Sequence, residues 1–269
     1  MNTIFSYSFM QRAFLAGVFV AIPCALLGVF IILRKDAMIG HGLAHVTFGG
    51  IAIGLFLNIF PIGVALIFAI LAALSILKLK EKAGLYEDTA VGILSNTGLA
   101  LGILLASLAG SFNVDLFSYL FGNILAIQTQ EVWFSIILAI VVIVMIILYY
   151  PRLLYLTFDM ESAHTAGINV SNLDKTLAIL VAVTIVLGMK VVGILLVEAL
   201  IIIPAAAGLQ IASNFRQALL ASCLVGIGSI IGGLIIAFYL DLPASSCIVF
   251  FSLFFLAGLF FIKKVIYKK

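Results

Sequence analysis

The sequence predicts an all-α protein, a polytopic membrane helix bundle of eight or nine spans, and three observations carry that prediction. Of its 269 residues, 65% are hydrophobic and 9% are charged, whereas a soluble domain carries about 25% charge. The mean hydropathy is +1.36. The apolar residues gather in runs of about 20, the length a helix needs to cross the hydrocarbon core, and the charged stretches between them are short connectors. Residues 1–269 therefore read as a single transmembrane domain surrounded by lipid. The net charge of +3 carries no argument for a nucleic-acid partner, because the cations are distributed as membrane topology requires. Cys24, Cys223 and Cys247 sit in apolar runs, without a C-x-x-C pair or a secreted framework, and read as small core residues. The N-terminus has neither the basic start nor the cleavage site of a signal peptide, so the first run is expected to be retained.

In order, the spans are expected at 10–33, 41–58, 61–77, 89–109, 131–150, 174–189, 191–211, 217–240 and 244–262. The cations orient them, because cytoplasmic connectors collect Lys and Arg. Arg34 and Lys35 follow the first span, and Lys78, Lys80 and Lys82 follow the third. Arg152 and Lys175 flank the connector after the fifth, Arg216 follows the seventh, and Lys263, Lys264, Lys268 and Lys269 close the chain. Nine alternating spans with the N-terminus outside and the C-terminus cytoplasmic put all of these inside. Of the 14 cations, that leaves Arg12 and Lys190 on the opposite side. Two alternatives stay open: 174–189 and 191–211 as one bent element, and 41–58 as partly re-entrant.

The connectors carry their own signals. Asp88, with Thr89, reads as the N-cap of the fourth span. The connector 110–130 contains Asp115-Leu-Phe-Ser-Tyr-Leu-Phe-Gly-Asn-Ile-Leu-Ala-Ile127, too short to span. It is expected to be an external amphipathic or re-entrant helix capped by Asp115, with Glu131 and Trp133 marking the next interface. The cytoplasmic connector 152–173 is the longest polar stretch. Within it Glu161–Ala166 favours a short helix, and Gly167 suits its left-handed C-terminal position. Such a helix is a docking knob for another protein; a solvated loop is the alternative, and His164 there reads as a surface residue.

Two places inside the apolar runs carry chemistry. His41 and His45 lie four residues apart on the second span, hence on one helix face. That is a spacing at which two imidazoles hold one transition metal; two histidines packed against helix carbonyls are the alternative. Glu198 lies in Gly193-Ile-Leu-Leu-Val-Glu-Ala-Leu-Ile-Ile-Ile-Pro-Ala-Ala-Ala-Gly208 with no basic neighbour. It reads either as a hard anionic third ligand or as a protonated acid bonded to a nearby helix. Pro204 is expected to interrupt that span, and the small residues after it, like the run Gly226–Gly233, allow close helix packing. Asp36, beside Arg34 and Lys35 at the membrane edge, reads as structural. Ser95, Asn96 and Thr97 either line a path or bond neighbouring helices. The spacing of the zinc proteases, His-Glu-x-x-His, is met by the histidines but not by Gly42, so the general base is missing. No Gly-x-x-x-x-Gly-Lys-Ser/Thr loop occurs, so the chain has no P-loop of its own.

Taken together, these residues resemble the permease subunit of zinc/manganese ABC importers, the ABC-3 metal-ion permease family, nearly from end to end. Gly40-His-Gly-Leu-Ala-His-Val-Thr-Phe-Gly-Gly50 is similar to a family pattern of the Gly-Asp-x-x-Ser-His-x-x-Leu-Pro-Gly type. Asp88-Thr-Ala-Val-Gly92 looks like the fourth-span entry, and Asp115-Leu-Phe-Ser-Tyr-Leu-Phe-Gly-Asn-Ile-Leu-Ala126 resembles the external helix motif. Val192-Gly-Ile-Leu-Leu-Val-Glu-Ala-Leu-Ile-Ile-Ile-Pro-Ala-Ala-Ala207 is similar to the family's Gly-x-Leu-Leu-x-x-Ala-Leu-x-x-x-Pro-Ala-Ala signature.

The resemblance implies a type II ABC importer-like half-transporter of the bacterial plasma (inner) membrane. Two permease chains form the pore as a homodimer, a cytoplasmic ABC ATPase dimer drives it, and an extracytoplasmic metal-binding protein delivers the ion. The chain itself is then no enzyme and holds no permanent cofactor; its cargo is a divalent metal. In the family the aspartate and histidine of the second-span motif contact that metal. The histidine is His45 here, and His41 stands in the aspartate's place. Imidazole for carboxylate makes the site softer, which favours Zn²⁺ over Mn²⁺. Glu198 stands where a small or hydroxyl residue is expected and would restore the lost negative charge. Gly49 replaces the motif's proline. Asp159, Glu161, Ala163 and Gly167 resemble the coupling helix that engages the ATPase. The expected function is ATP-driven import of zinc, with manganese or iron as the alternative. A stand-alone metal/proton transporter, in which Glu198 and the histidines relay protons without an ATPase, is a rival of another class.

Overall fold

The computed structural model describes residues 4–84, 86–109, 119–120, 122, 124, 127–159, 163, 165–167 and 169–266. Among them all regular structure is helical. After a 3-10 turn at Ile4–Ser6 come α1 (Ser8–Leu33), α2 (Met38–Phe56), α3 (Pro61–Ala83), α4 (Glu87–Leu108) and α5 (Thr129–Phe158). Then follow α6 (Val170–Val192), α7 (Ile194–Ile211), α8 (Phe215–Leu240) and α9 (Ala244–Ile266). Each of these nine helices is long and apolar enough to cross a membrane.

The expected spans are all present, and the departures have local causes. α5 ends at Phe158 rather than 150 and runs straight through Pro151. A proline inside a helix costs about 3 kcal/mol; buried Leu153 and Leu156 on the extension offset it. At 30 residues, α5 is about 45 Å long, more than the roughly 30 Å hydrocarbon core. α6 and α7 are two helices, not one bent element, because Gly193 breaks them with φ 87° and ψ 157°, backbone open essentially to glycine alone. α2 is a regular helix of 19 residues, long and apolar enough to cross a membrane. It closes on Asn58 in the left-handed region (φ 54°), with the Ile59 amide donating to the Gly54 carbonyl at 3.0 Å, as helix C-termini commonly do. Asp88 is not a cap: α4 starts at Glu87, and Tyr86 holds the cap position without a side-chain hydrogen bond. α7 is continuous through Pro204, so the proline removes one donor without interrupting the span. Asp115 and the start of its expected helix lie outside the described residues.

The contacts cluster into two compact units, one of Met1–Ile32, Phe121–Ile140 and Gly188–Lys269, the other of Leu33–Leu120 and Val141–Leu187. In the first, small residues let helices meet backbone to backbone. A Cβ on Gly28 of α1 would strike the Ile201 carbonyl of α7, one on Gly208 of α7 would strike Ser222 of α8, and one on Gly233 of α8 would lie 2.5 Å from Ile248 Cα of α9. Phe30 and Phe215 add an edge-to-face contact at 5.2 Å, a geometry aromatic pairs prefer. Asn214 caps α8 by accepting from the Gln217 amide at 2.9 Å, and Gln217 reciprocates by accepting from the Ser213 amide at 3.0 Å. In the second unit, α2 packs on both α3 and α4.

Candidate functional site

The site begins with how α2 is held. A Cβ on Gly49 would stand 2.5 Å from the Gly98 carbonyl oxygen of α4, and one on Gly98 would lie 2.6 Å from Val46 Cα and 2.9 Å from the His45 carbonyl oxygen. On the neighbouring face, a Cβ on Gly50 would be 2.8 Å from Ala65 Cα of α3. At 100° per residue, positions 42, 46 and 49 face α4 and positions 50 and 54 face α3, while 41 and 45 project elsewhere. The glycines press two faces of α2 into its neighbours and leave the histidine face apart. Thr47, fully buried, satisfies its hydroxyl by donating to the Leu43 carbonyl at 2.6 Å.

His41 and His45 are both half-buried. Their rings meet edge to face, with centroids 4.5 Å apart and planes at 89°. A ring nitrogen sits about 2.0–2.1 Å from a bound Zn²⁺, so two imidazoles sharing one ion stand within a few ångströms of each other, as these do. Glu198 is half-buried in the second turn of α7, an element of the other compact unit. Its helix is placed by the close approach of α1 at Gly28 and of α8 at Gly208. Ser95 is buried, while Asn96 and Thr97 are exposed on α4. Thr97 spends its hydroxyl on the Ile93 carbonyl at 2.7 Å.

Of the connector after α5, residues 159, 163, 165–167 and 169 are described. The Asp159 amide continues the helix onto Tyr155 O at 2.9 Å, and Ala163, fully buried, donates to Asp159 O at 3.1 Å. Gly167 has φ 73°, the left-handed conformation read from the sequence. Glu161 and His164 lie outside the described residues. Asn169 then starts α6 by accepting from the Asn172 amide at 3.0 Å.

Two features went unread in the sequence. Arg34 and Asp174, 140 positions apart, form an ion pair at 2.6 Å. Toward the opposite end, Glu131 of α5 and Lys190 of α6 pair at 3.3 Å. Near that pair a Cβ on Gly122 (φ 67°) would collide with the Val192 carbonyl and lie 2.6 Å from the Gly193 nitrogen. In the sequence only the two glycines themselves are visible; their partners are not.

A multi-helix membrane bundle with an imidazole pair on a short, glycine-packed span, and a structured connector at the cation-rich face, is built as a transport permease. The model of the ABC 3 transport family matches residues 6–262, and the chain belongs to that family. It is 36% identical over 263 residues to the manganese transport system membrane protein MntC of Listeria monocytogenes, covering 97% of this chain and 93% of the relative. It is 34% identical over 248 residues to the high-affinity zinc uptake system membrane protein ZnuB of Haemophilus influenzae, covering 92% and 95%. Among solved structures, PsaBC from Streptococcus pneumoniae in complex with Fab matches with a TM-score of 0.86 at 32% identity, covering 96% of this chain and 93% of that one. The chain is thus a multi-pass protein of the bacterial plasma membrane.

Proposed function

We propose that this chain is the membrane-spanning subunit of an ATP-driven importer of a divalent transition metal, with zinc as the preferred cargo. The observation that carries the reading is the His41–His45 pair, two imidazoles 4.5 Å apart on a helix whose other faces are filled by backbone packing. Relatives named for manganese and for zinc match at nearly equal identity, so identity does not choose between the metals; ligand chemistry is what supports zinc. Two imidazoles form a soft nitrogen site that suits Zn²⁺ better than Mn²⁺. Glu198 is proposed as the anionic ligand that balances the ion's charge where water is scarce. Manganese is the second reading, favoured by the names of relatives such as MntC.

The proposed assembly is a homodimer of this chain, a cytoplasmic ATPase dimer docked on the connector of Asp159, Glu161, Ala163 and Gly167, in which Ala163 is itself buried, and an extracytoplasmic metal-binding protein. The ion enters a site with few ligands and leaves it as ATP binding reorients the bundles, so no covalent chemistry falls to this chain. The test is ion uptake into vesicles holding the chain with its ATPase, wild type against His45→Ala, across Zn²⁺, Mn²⁺ and Fe²⁺. Zinc uptake that depends on ATP and is lost in the variant is the expected result. Unchanged uptake in His45→Ala overturns the site, manganese uptake in preference to zinc overturns the choice of metal, and uptake without ATP favours a secondary transporter.

A further inference from the structure

The joint between α1 and α2, residues 34–37, carries a buried ion cluster. Lys35 takes a left-handed turn with φ 64° and faces solvent, and the chain on either side turns inward. The Arg34 side chain is 5% exposed. Its Nε donates to Asp36 Oδ2 at 2.9 Å, and its Nη2 lies 2.6 Å from Asp174 Oδ1. Lys80 Nζ reaches the other Asp36 oxygen at 3.6 Å. Burial works against the Arg34 charge, but Asp174 and then Asp36 outweigh it, and its pKa is raised above the ordinary arginine value.

These four residues come from three helix ends within one compact unit. Asp36 precedes α2, and its carbonyl accepts from the Ile39 amide at 3.0 Å; His41 follows within the first turn. Lys80 lies near the end of α3. Asp174 lies one turn into α6, just after the connector that holds Asp159, Ala163 and Gly167. All three ends belong to the cation-rich side that the positive-inside rule makes cytoplasmic. A guanidinium is a planar fork with fixed donor directions, so its hydrogen bond to Asp36 resists the sliding that apolar helix contacts allow, while Asp174 Oδ1 is held by a buried charge contact and has no hydrogen-bond partner to turn to among the described residues. Buried ion pairs add little net stability over well-packed apolar residues, and their best-attested use is to fix register or a switch.

Resting on the importer reading above, we propose that Arg34 is a positioning residue for transport: through Asp174 and Asp36 it transmits movement of the cytoplasmic connector to the start of α2, and so to the histidine pair. The cluster joins the segment that receives the ATPase's stroke to the helix that carries the ion's ligands. Losing it uncouples ATP hydrolysis from ion movement and leaves ion binding in place.

The test uses the full complex, permease with its ATPase and binding protein, in proteoliposomes, reading zinc uptake and ATP hydrolysis together. In Arg34→Gln and in Asp174→Asn, the ATP consumed per ion should rise about tenfold, within the range of energetic coupling between sites. The zinc concentration for half-maximal uptake should stay unchanged. The double variant should be no worse than the poorer single one, since both break one link, and Arg34→Lys should recover part of the uptake. If uptake and hydrolysis fall together at a constant ratio, the cluster is merely structural and the proposal is overturned; wild-type behaviour in Arg34→Gln overturns it too. Should both buried variants fail to assemble, Arg34→Lys decides, because it keeps the positive charge and loses the fixed fork: a raised ratio supports the proposal and a wild-type ratio overturns it. A wild-type complex that moves no metal would remove the importer reading itself, and this inference with it.

Discussion

Gly49 of α2 and Gly98 of α4 meet backbone to backbone, so close that a Cβ on Gly49 would stand 2.5 Å from the Gly98 carbonyl oxygen. Neither helix can yield there without moving His45, whose own carbonyl lies 2.9 Å from where a Gly98 Cβ would be. Gly98→Leu and Gly49→Ala are expected to destabilise the protein by about 1–3 kcal/mol, the range for overpacking, and to lower metal uptake with it. Gly92, on the same helix α4, has nothing within 4 Å of a built Cβ. Gly92→Ala should therefore be neutral or stabilising by about 0.5–1 kcal/mol. Thermal unfolding in detergent separates the two cases; equal behaviour of Gly92→Ala and Gly49→Ala would count against the packing account.

The break between α6 and α7 makes a second claim. Gly193 and Gly122 hold φ of 87° and 67°, and the Gly122 position is enclosed by the Val192 carbonyl and the Gly193 nitrogen. Forcing an L-residue into the left-handed region costs about 1–2 kcal/mol, and at Gly122 the collision adds to it. Gly122→Ala should lower the melting temperature more than Gly167→Ala, because Gly167 has a similar φ of 73° but open space around it. A smaller loss at 122 than at 167 would refute the idea that contact, beyond conformation, constrains Gly122.

These cases show what a sequence of this kind discloses. The spans were legible because apolar length and the sidedness of cations are local properties that a membrane enforces strongly. His41 and His45 were legible as a pair because a helix brings residues four apart together by itself. Helix ends were less so: α5 passes Pro151 because Leu153 and Leu156 are buried, a tertiary fact. Asp88 looks like a cap by type, yet the helix starts one residue before it, at Glu87. The Arg34–Asp174 pair was invisible, since no local pattern relates positions 140 apart. The same holds for Gly49 and Gly98, each of which alone reads only as a small residue.

The Glu131–Lys190 pair belongs to a different energetic class from the Arg34 cluster. Lys190 is 36% exposed, and the pair is 3.3 Å long. Such pairs contribute about 0–1 kcal/mol, because water screens them and two long side chains must be ordered. Lys190→Gln is expected to change stability by less than about 1 kcal/mol, as read from the thermal midpoint. A larger loss would place this pair, whose Glu131 side chain is 14% exposed, with the buried ion pairs instead.

The choice of metal turns on charge as much as on softness. Two neutral imidazoles leave a divalent ion uncompensated, and in a water-poor site that is costly; one carboxylate halves the excess charge. On the proposed ligand set, Glu198→Gln removes that carboxylate. It should raise the zinc concentration for half-maximal uptake by about tenfold or more, the scale on which changes around a site alter metal affinity. His41→Asp supplies a carboxylate and a harder oxygen ligand, so it should move the zinc-to-manganese uptake ratio toward manganese. The decisive variant is the double one. His41→Asp with Glu198→Gln keeps one carboxylate among the three proposed ligands and should take up metal better than Glu198→Gln alone, now with manganese favoured. Competitive uptake of the two ions by all four proteins measures this directly. If the double variant is as impaired as the sum of the single ones, Glu198 does not supply the charge that a carboxylate at position 41 would, and the proposed zinc preference must rest on the imidazoles alone.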